Sequence, residues 1–184
     1  MDTTRFEFTS VLYRPIATDA GLKPCATNEE DATDDPDVRH RRDVAQGFSS
    51  ATVRLMRPGE EELFGETAAA GWREFGVGDL LREIARVNAA VPSLRLFFAE
   101  LDGKPIATAA LNISGGVAHL AGASTIPEGR KRGAQRALLD HRLRYAAAQG
   151  CDVALMGALP GSGSQRNAER HGFRIAYTRV KWRR

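Results

Sequence analysis

The stretch Thr125-Ile126-Pro127-Glu128-Gly129-Arg130-Lys131-Arg132-Gly133-Ala134-Gln135 decides the reading of this chain. An apolar run, Val117 to Ala123, precedes it, and an amphipathic helical pattern follows to about Gln149. A strand that ends in a Gly-containing basic turn and passes straight into a helix is a device for holding phosphate. The N–H groups of the turn and of the first helical residues converge on one spot, and the helix dipole adds partial positive charge there. The same residues also fit a basic surface turn that caps a helix, so the surrounding elements have to arbitrate.

Working outward, Leu94 to Glu100, Pro105 to Ile113 and Val117 to Thr125 read as three strands in hairpin order, joined by Asp102-Gly103 and by Ser114-Gly115-Gly116. Before them, Pro58 with Glu60, Glu61 and Glu62 suits a helix start, and that helix is expected to run to Trp72. A second helix is expected over 78–90, with Leu80, Leu81, Ile84 and Val87 at helical spacing and Pro92 beyond it. A short strand, Ala51 to Met56, precedes this pair. After the basic turn come a helix from Lys131 to Gln149, a strand from Asp152 to Ala158, a short helix from Ser162 to His171 and a last strand from Phe173 to Trp182. Phe6 and Phe8 alternate with polar residues in an N-terminal strand, Arg5 to Arg14.

Composition narrows the class. With 184 residues, 42% hydrophobic and 27% charged, the chain has the makeup of an ordinary globular domain. No apolar run approaches the roughly 20 residues that cross a bilayer, and Met1-Asp2-Thr3-Thr4-Arg5 lacks the pattern of a secretory signal. A cytoplasmic protein without membrane contact is therefore expected. Cys25 and Cys151 make no disulfide framework, and His40, His119, His141 and His171 show no metal-ligand spacing, so no metal is expected. The formal charge of +3 does not argue for nucleic acid. Arg39 to Arg42 and the tail Lys181-Trp182-Arg183-Arg184 carry no base-reading motif.

This element order and two landmarks resemble the GNAT family of acyl-CoA-dependent N-acyltransferases. One landmark is Pro127-x-x-Arg130-x-x-Gly133-x-Gln135, similar to the family's Arg/Gln-x-x-Gly-x-Gly/Ala turn; the other is Gly172-Phe173 after a short helix. Ser164-Gln165-Arg166-Asn167-Ala168-Glu169-Arg170-His171-Gly172-Phe173 is similar to a bacterial branch of that family, which also has Gln where Gln135 stands. The resemblance implies an α/β (α+β) fold: a mixed central sheet, flanked by about four helices and splayed between the strands either side of the CoA site. It divides the chain into an N-terminal strand over 1–16, the remnant of a degenerate preceding half, a polar linker over 17–48 and an acetyltransferase domain over 49–184. The N-terminal strand is expected to add to the sheet edge or to pair with another copy as a homodimer.

The resemblance further implies direct attack of an amine on the thioester of acetyl-CoA. The amine would belong to a small molecule or a peptide. Backbone N–H groups of Lys131, Arg132, Gly133, Ala134 and Gln135 would hold the pyrophosphate, with Arg130 and Arg132 supplying charge. Ser124 and Thr125 would polarise the thioester carbonyl and pair with pantetheine. Ser164 and Asn167 would bind pantetheine or order a water, although Ser162 and Ser164 also fit helix N-caps. His119 stands where many relatives carry a Glu base, and its ordinary pKa near 6.5 suits proton acceptance. Simple strand alternation puts it on one face with Ala121, Ala123 and Thr125. It fits a hydrogen-bonded strand His equally well. The family's common acid Tyr is replaced by Ala168, leaving Tyr177 as the alternative donor, or as cross-strand packing. Trp72, Phe75, Phe97 and Phe98 fit either the acceptor side or the core. A non-catalytic acyl-CoA-binding module of the same fold is the second reading.

Overall fold

The structure is a computed structural model that describes residues 5–16, 51–76 and 78–183, with the side chains of 5–8, 75 and 181–183 excepted. The expected linker over 17–48, with Cys25, His40 and Arg39 to Arg42, lies outside the described residues. The elements are β1 Arg5–Pro15, β2 Thr52–Leu55, α1 Glu61–Gly71, α2 Gly78–Ala89, β3 Leu94–Leu101, β4 Lys104–Ser114, β5 Val117–Thr125, α3 Ala134–Ala148, β6 Val153–Ala158, α4 Gly163–Arg170 and β7 Arg174–Arg183. The seven strands form one sheet in the order β2-β3-β4-β5-β6-β1-β7. β5 and β6 are parallel, and the other neighbouring pairs are antiparallel.

The N-terminal strand corrects an expectation. β1 does not extend the edge; it is inserted between β6 and β7, and β7 becomes the edge. Ser10–Pro15 pairs with β6 on one side, and Arg5–Tyr13 pairs with β7 on the other. The physical reason is burial. Leu12 is fully buried and Ser10 nearly so, which an edge strand open to water would not achieve.

Side-chain alternation splits the sheet into two faces. On the back face, Leu12, Ala118, Leu120, Ala154 and Ala158 join Leu138, Leu139, Leu143 and Ala146 of α3 in the main core. On the front face, Phe64 of α1 and Ala85 of α2 pack on Leu96, Phe98 and Ala110. α1 crosses β4 and β5, while α2 packs on α1 and reaches β3. Phe97 and Phe98 are both fully buried, on opposite faces, so they belong to the core and not to the acceptor side. Burying each contributes about 1.5–3 kcal/mol.

The ring of Phe97 lies edge-on to His141 and Tyr145 of α3, with centroids 5.4 and 5.6 Å away. Burial, with a smaller contribution from Arg144, pushes the pKa of His141 below its ordinary value. The folded chain therefore resists a proton that the unfolded chain accepts near pH 6.5. The stability that follows is present above that pH and is lost as pH falls through the folded-state value. Thermal unfolding from pH 7.5 to 5 should show a smaller loss of melting temperature in His141→Leu than in the unsubstituted chain. Equal losses would contradict this account.

Candidate acyl-CoA site

β5 keeps two neighbours only at its start. Val117–Leu120 pairs with Val153–Met156 of β6, and the ladder then ends. Beyond Leu120 the strand stays with β4 alone, so a gap opens towards Gly157 and Ala158. Within this stretch Gly122 takes a φ of +58°, the left-handed region open to glycine. The register with β4 shifts by one residue there, from Ala110↔Ala121 to Thr108↔Ser124. This is a β-bulge, and it turns the end of β5 over.

The bulge overturns the simple alternation of the strand. His119 and Ala121 share the front face, but Ala123 packs with the back core. Ser124 faces α1, donating its hydroxyl to the carbonyl of Ala68 at 3.0 Å. Thr125 is met by Gln135 of α3 on the back. His119 is therefore not on one face with Ala123 and Thr125. It is exposed, in the part of β5 still paired with β6.

Two side chains of α3 serve carbonyls along this stretch. Gln135 donates from Nε2 to the carbonyl of Ser124 at 3.0 Å and to the hydroxyl of Thr125 at 2.7 Å. The glutamine side chain thus points back to β5. Arg142, on the buried side of the helix, donates from Nε to the carbonyl of Leu138 at 3.2 Å. Its Nη1 donates to the carbonyls of Ala110 at 3.0 Å and Ala121 at 3.3 Å. Those last two carbonyls belong to the last register pair before the bulge. Burial lowers the Arg142 pKa to about 10, so the guanidinium keeps its charge at neutral pH. Sequence reading missed this residue, although an arginine four residues from both Leu138 and Ala146 on an apolar stripe was a visible signal.

The turn itself is as basic and as open as its sequence. Pro127–Gly129 forms one 3-10 turn, and Gly129 packs so tightly on Ile106 that an added Cβ would lie 2.8 Å from the Ile106 Cβ. Lys131 and Gly133 both have positive φ, 62° and 77°, which delays the helix from the expected Lys131 to Ala134. The first helical bond at this end runs from the N–H of Ala137 to the carbonyl of Gly133 at 3.0 Å. The N–H groups of Ala134, Gln135 and Arg136 precede it and have no acceptor within the helix. Lys131 and Arg132 are exposed. Arg130 instead reaches the end of α1 and the 3-10 turn Arg73–Phe75 beyond it, with Nη1 2.8 Å from Glu74 Oε1 and Nη2 3.5 Å from the carbonyl of Gly71. At Gly71 an added Cβ would lie 2.0 Å from Ser124 Oγ and 2.9 Å from the Thr125 nitrogen, so only glycine lets α1 end there.

Other expected residues lie on α4 and β7. Ser162, not Ser164, caps α4, accepting from the N–H of Gln165 at 3.2 Å. Ser164 is exposed and Asn167 half-buried, its carbonyl 2.7 Å from Nδ1 of His171. His171 stands 3.6 Å from Asp140, which sets α4 beside α3. Ala168 is fully buried in the core. Tyr177 is 58% exposed on β7, opposite Val11. The insertion of β1 puts it three strands from β5, about 14 Å across the sheet. The structure therefore does not bring Tyr177 to the gap as an acid.

Two clefts of about 210 and 170 Å³ lie elsewhere, the first lined by Arg14, Ile16, Leu143, Arg144 and Ala147, the second by Ser93, Arg95, Ile113, Tyr145 and Gln149. Neither touches the turn or the gap. No group of His, Cys, Asp and Glu among the described residues could hold a metal ion. No helix among them is long and apolar enough to cross a membrane.

The family model of the GNAT acetyltransferase domain matches residues 28–165, and the chain belongs to that family. Its mixed sheet and four helices are the GNAT acyl-CoA N-acyltransferase fold. A protein assigned to the GNAT acetyltransferases of Novosphingobium aromaticivorans is similar over 96% of this chain and 63% of its own, with 17% identity and a TM-score of 0.59. A Staphylococcus epidermidis protein is similar over 98% of this chain and 62% of its own, with 6% identity and a TM-score of 0.67. The chain thus spans less than two thirds of either. It covers 98% of the aminoglycoside N-acetyltransferase AAC(6')-Iy, solved with CoA, over 77% of itself, with 22% identity and a TM-score of 0.60. No curated protein sequence matches the chain.

Replacing Arg142 with Met should remove the side-chain donor to the carbonyls of Ala110 and Ala121, at a cost of about 1–3 kcal/mol. Urea unfolding should register at least that order of loss for Arg142→Met and a smaller one for Arg142→Lys. Full stability in Arg142→Met would remove Arg142 as the clamp of the bulge.

Proposed function

We propose that this chain transfers the acetyl group of acetyl-CoA to a primary amine, on a small molecule or a peptide, by direct attack in a ternary complex. The observation that carries this reading is the continuity of the β5–β6 gap with the donor-rich turn at the start of α3. The pyrophosphate would accept from the N–H groups of Lys131 to Gln135, with Lys131 and Arg132, in no salt bridge among the described residues, as the cations beside it. Pantetheine would enter the gap and pair with β5 as an added strand, since β6 gives β5 no partner beyond Leu120. The thioester oxygen would accept from the backbone N–H of Ser124 or Thr125, which polarises the carbonyl for attack. Ser164 and Asn167 would serve pantetheine from α4.

His119 would take the proton of the attacking ammonium through water, not by contact. Across the bulge, His119 and Ser124 stand opposite Asn112 and Thr108, four positions apart on β4 and about 13 Å along a strand, beyond the hydrogen-bond reach a direct base needs. Ala121, on the same face between them, is small enough to leave that path open. No side chain is assigned to protonate the departing thiolate; solvent in the open gap supplies that proton.

One observation favours a non-catalytic acyl-CoA-binding module: Ala168 brings no phenol to the gap, and Tyr177 is too far to replace it. Calorimetry followed by thiol release over an amine panel separates the two. Acetyl-CoA should bind, and Gly133→Val, which forces a branched side chain into a φ of 77°, should weaken binding about tenfold or more. Amine-dependent release should follow in the unsubstituted chain, with the acid limb of its pH profile altered in His119→Gln. Binding with no release for any amine would leave the module reading; an unaltered profile would remove His119 as the base.

A further inference from the structure

The front face of the sheet is covered only in part. α1 and α2 pack over β3, β4 and the end of β5. The strand register carries the same face onward across β6, β1 and β7. One row runs His119, Leu155, Tyr13, Arg174 across the four strands. Tyr177 and Arg179 stand further along β7 on that face, opposite Val11 and Thr9. Tyr177 is 58% exposed, and both arginines are exposed as well.

The chemistry of this platform is one-sided. Among the described side chains that β5, β6, β1 and β7 place on it, none is Asp or Glu. Glu7, further along β1, is opposite Lys181 in the register. The cations Arg174 and Arg179 flank the ring of Tyr177 along the edge strand, and neither is in a salt bridge among the described residues. The platform begins at the mouth of the β5–β6 gap, on the side where His119 stands. A polycationic amine would meet like charge here. An amine that also carries a carboxylate or phosphate would find a planar donor fork matched to its acid group and an aromatic face for its apolar part.

We infer that this face is the acceptor platform of the proposed transferase, and that it selects primary amines bearing an acidic group, held by Arg174 and Arg179 beside Tyr177. The inference rests on the acetyl-transfer reading for its place at the gap, but the recognition is a property of the platform alone. The occupant is a small acidic amine.

The test uses the full chain saturated with CoA or supplied with acetyl-CoA. Glutamate, its diamide, O-phosphoethanolamine, ethanolamine and spermidine are compared by equilibrium binding and by thiol release. Glutamate and O-phosphoethanolamine should each exceed their neutral counterparts by about tenfold or more, and spermidine should be the poorest. The better of the two names carboxylate or phosphate as the preferred acid. In the Arg174→Gln/Arg179→Gln double variant, with its melting temperature checked, the acidic-to-neutral ratio should fall towards one, and Arg174→Lys/Arg179→Lys should restore part of it. Binding of the acidic amines without thiol release would sink acetyl transfer and leave the platform standing. Preference for neutral or polycationic amines, absence of binding by both acidic amines, or a ratio unchanged by the double Gln variant would overturn the platform.

Discussion

A backbone stretch that leaves one neighbour must find other partners for its polar groups. Beyond Leu120 that constraint governs β5, and much of the site follows from it. The strand keeps β4 through a bulge at Gly122 and abandons β6. α3 then supplies donors from its side chains: Arg142 to the carbonyls of Ala110 and Ala121, and Gln135 to the carbonyl of Ser124. Carbonyls along the diverging strand are served from the back of the sheet, and the gap side is left open to an extended ligand.

The same helix links the gap to the turn. α3 begins only after two positive-φ residues, so its first N–H groups point out of a loop that is also basic. Gln135 sits on the first turn of that helix and ties it to the end of β5. Displacing the helix would disturb the phosphate donors and the strand end together. On the opposite side Gly71 lets α1 press against Ser124 and Thr125, and Arg130 joins the turn to the C-terminal end of α1, where a cation is favourable. Gap, turn and first helix form one mechanical unit.

Much of this was legible in the residues. The apolar strand, basic turn and helix pattern around Gly133 located the turn. Asp102-Gly103 and Ser114-Gly115-Gly116 set the hairpins, and the element order matched throughout. What escaped were consequences that local patterns do not encode. Counting alternation through Gly122 assumed an unbroken pleat, and the left-handed glycine moved Ala123 and Thr125 to the other face. β1 was readable as a strand, but its place between β6 and β7 depends on pairing partners more than a hundred residues away in sequence. That placement removed Tyr177 from the gap. Arg142 stood in plain view on the apolar stripe, but periodicity marks apolar residues and passes over one charge lying among them.

The central claim is that acetyl-CoA occupies the β5–β6 gap with its pyrophosphate on the turn before α3. The direct measurement is a titration of isotope-labelled chain with acetyl-CoA, following each backbone amide by NMR. The account predicts that the largest shifts fall on Gly122 to Thr125, Lys131 to Arg136 and Gly157 to Ala158. Shifts concentrated instead at the cleft of Arg14, Leu143 and Arg144, with the turn and the gap unmoved, would contradict it.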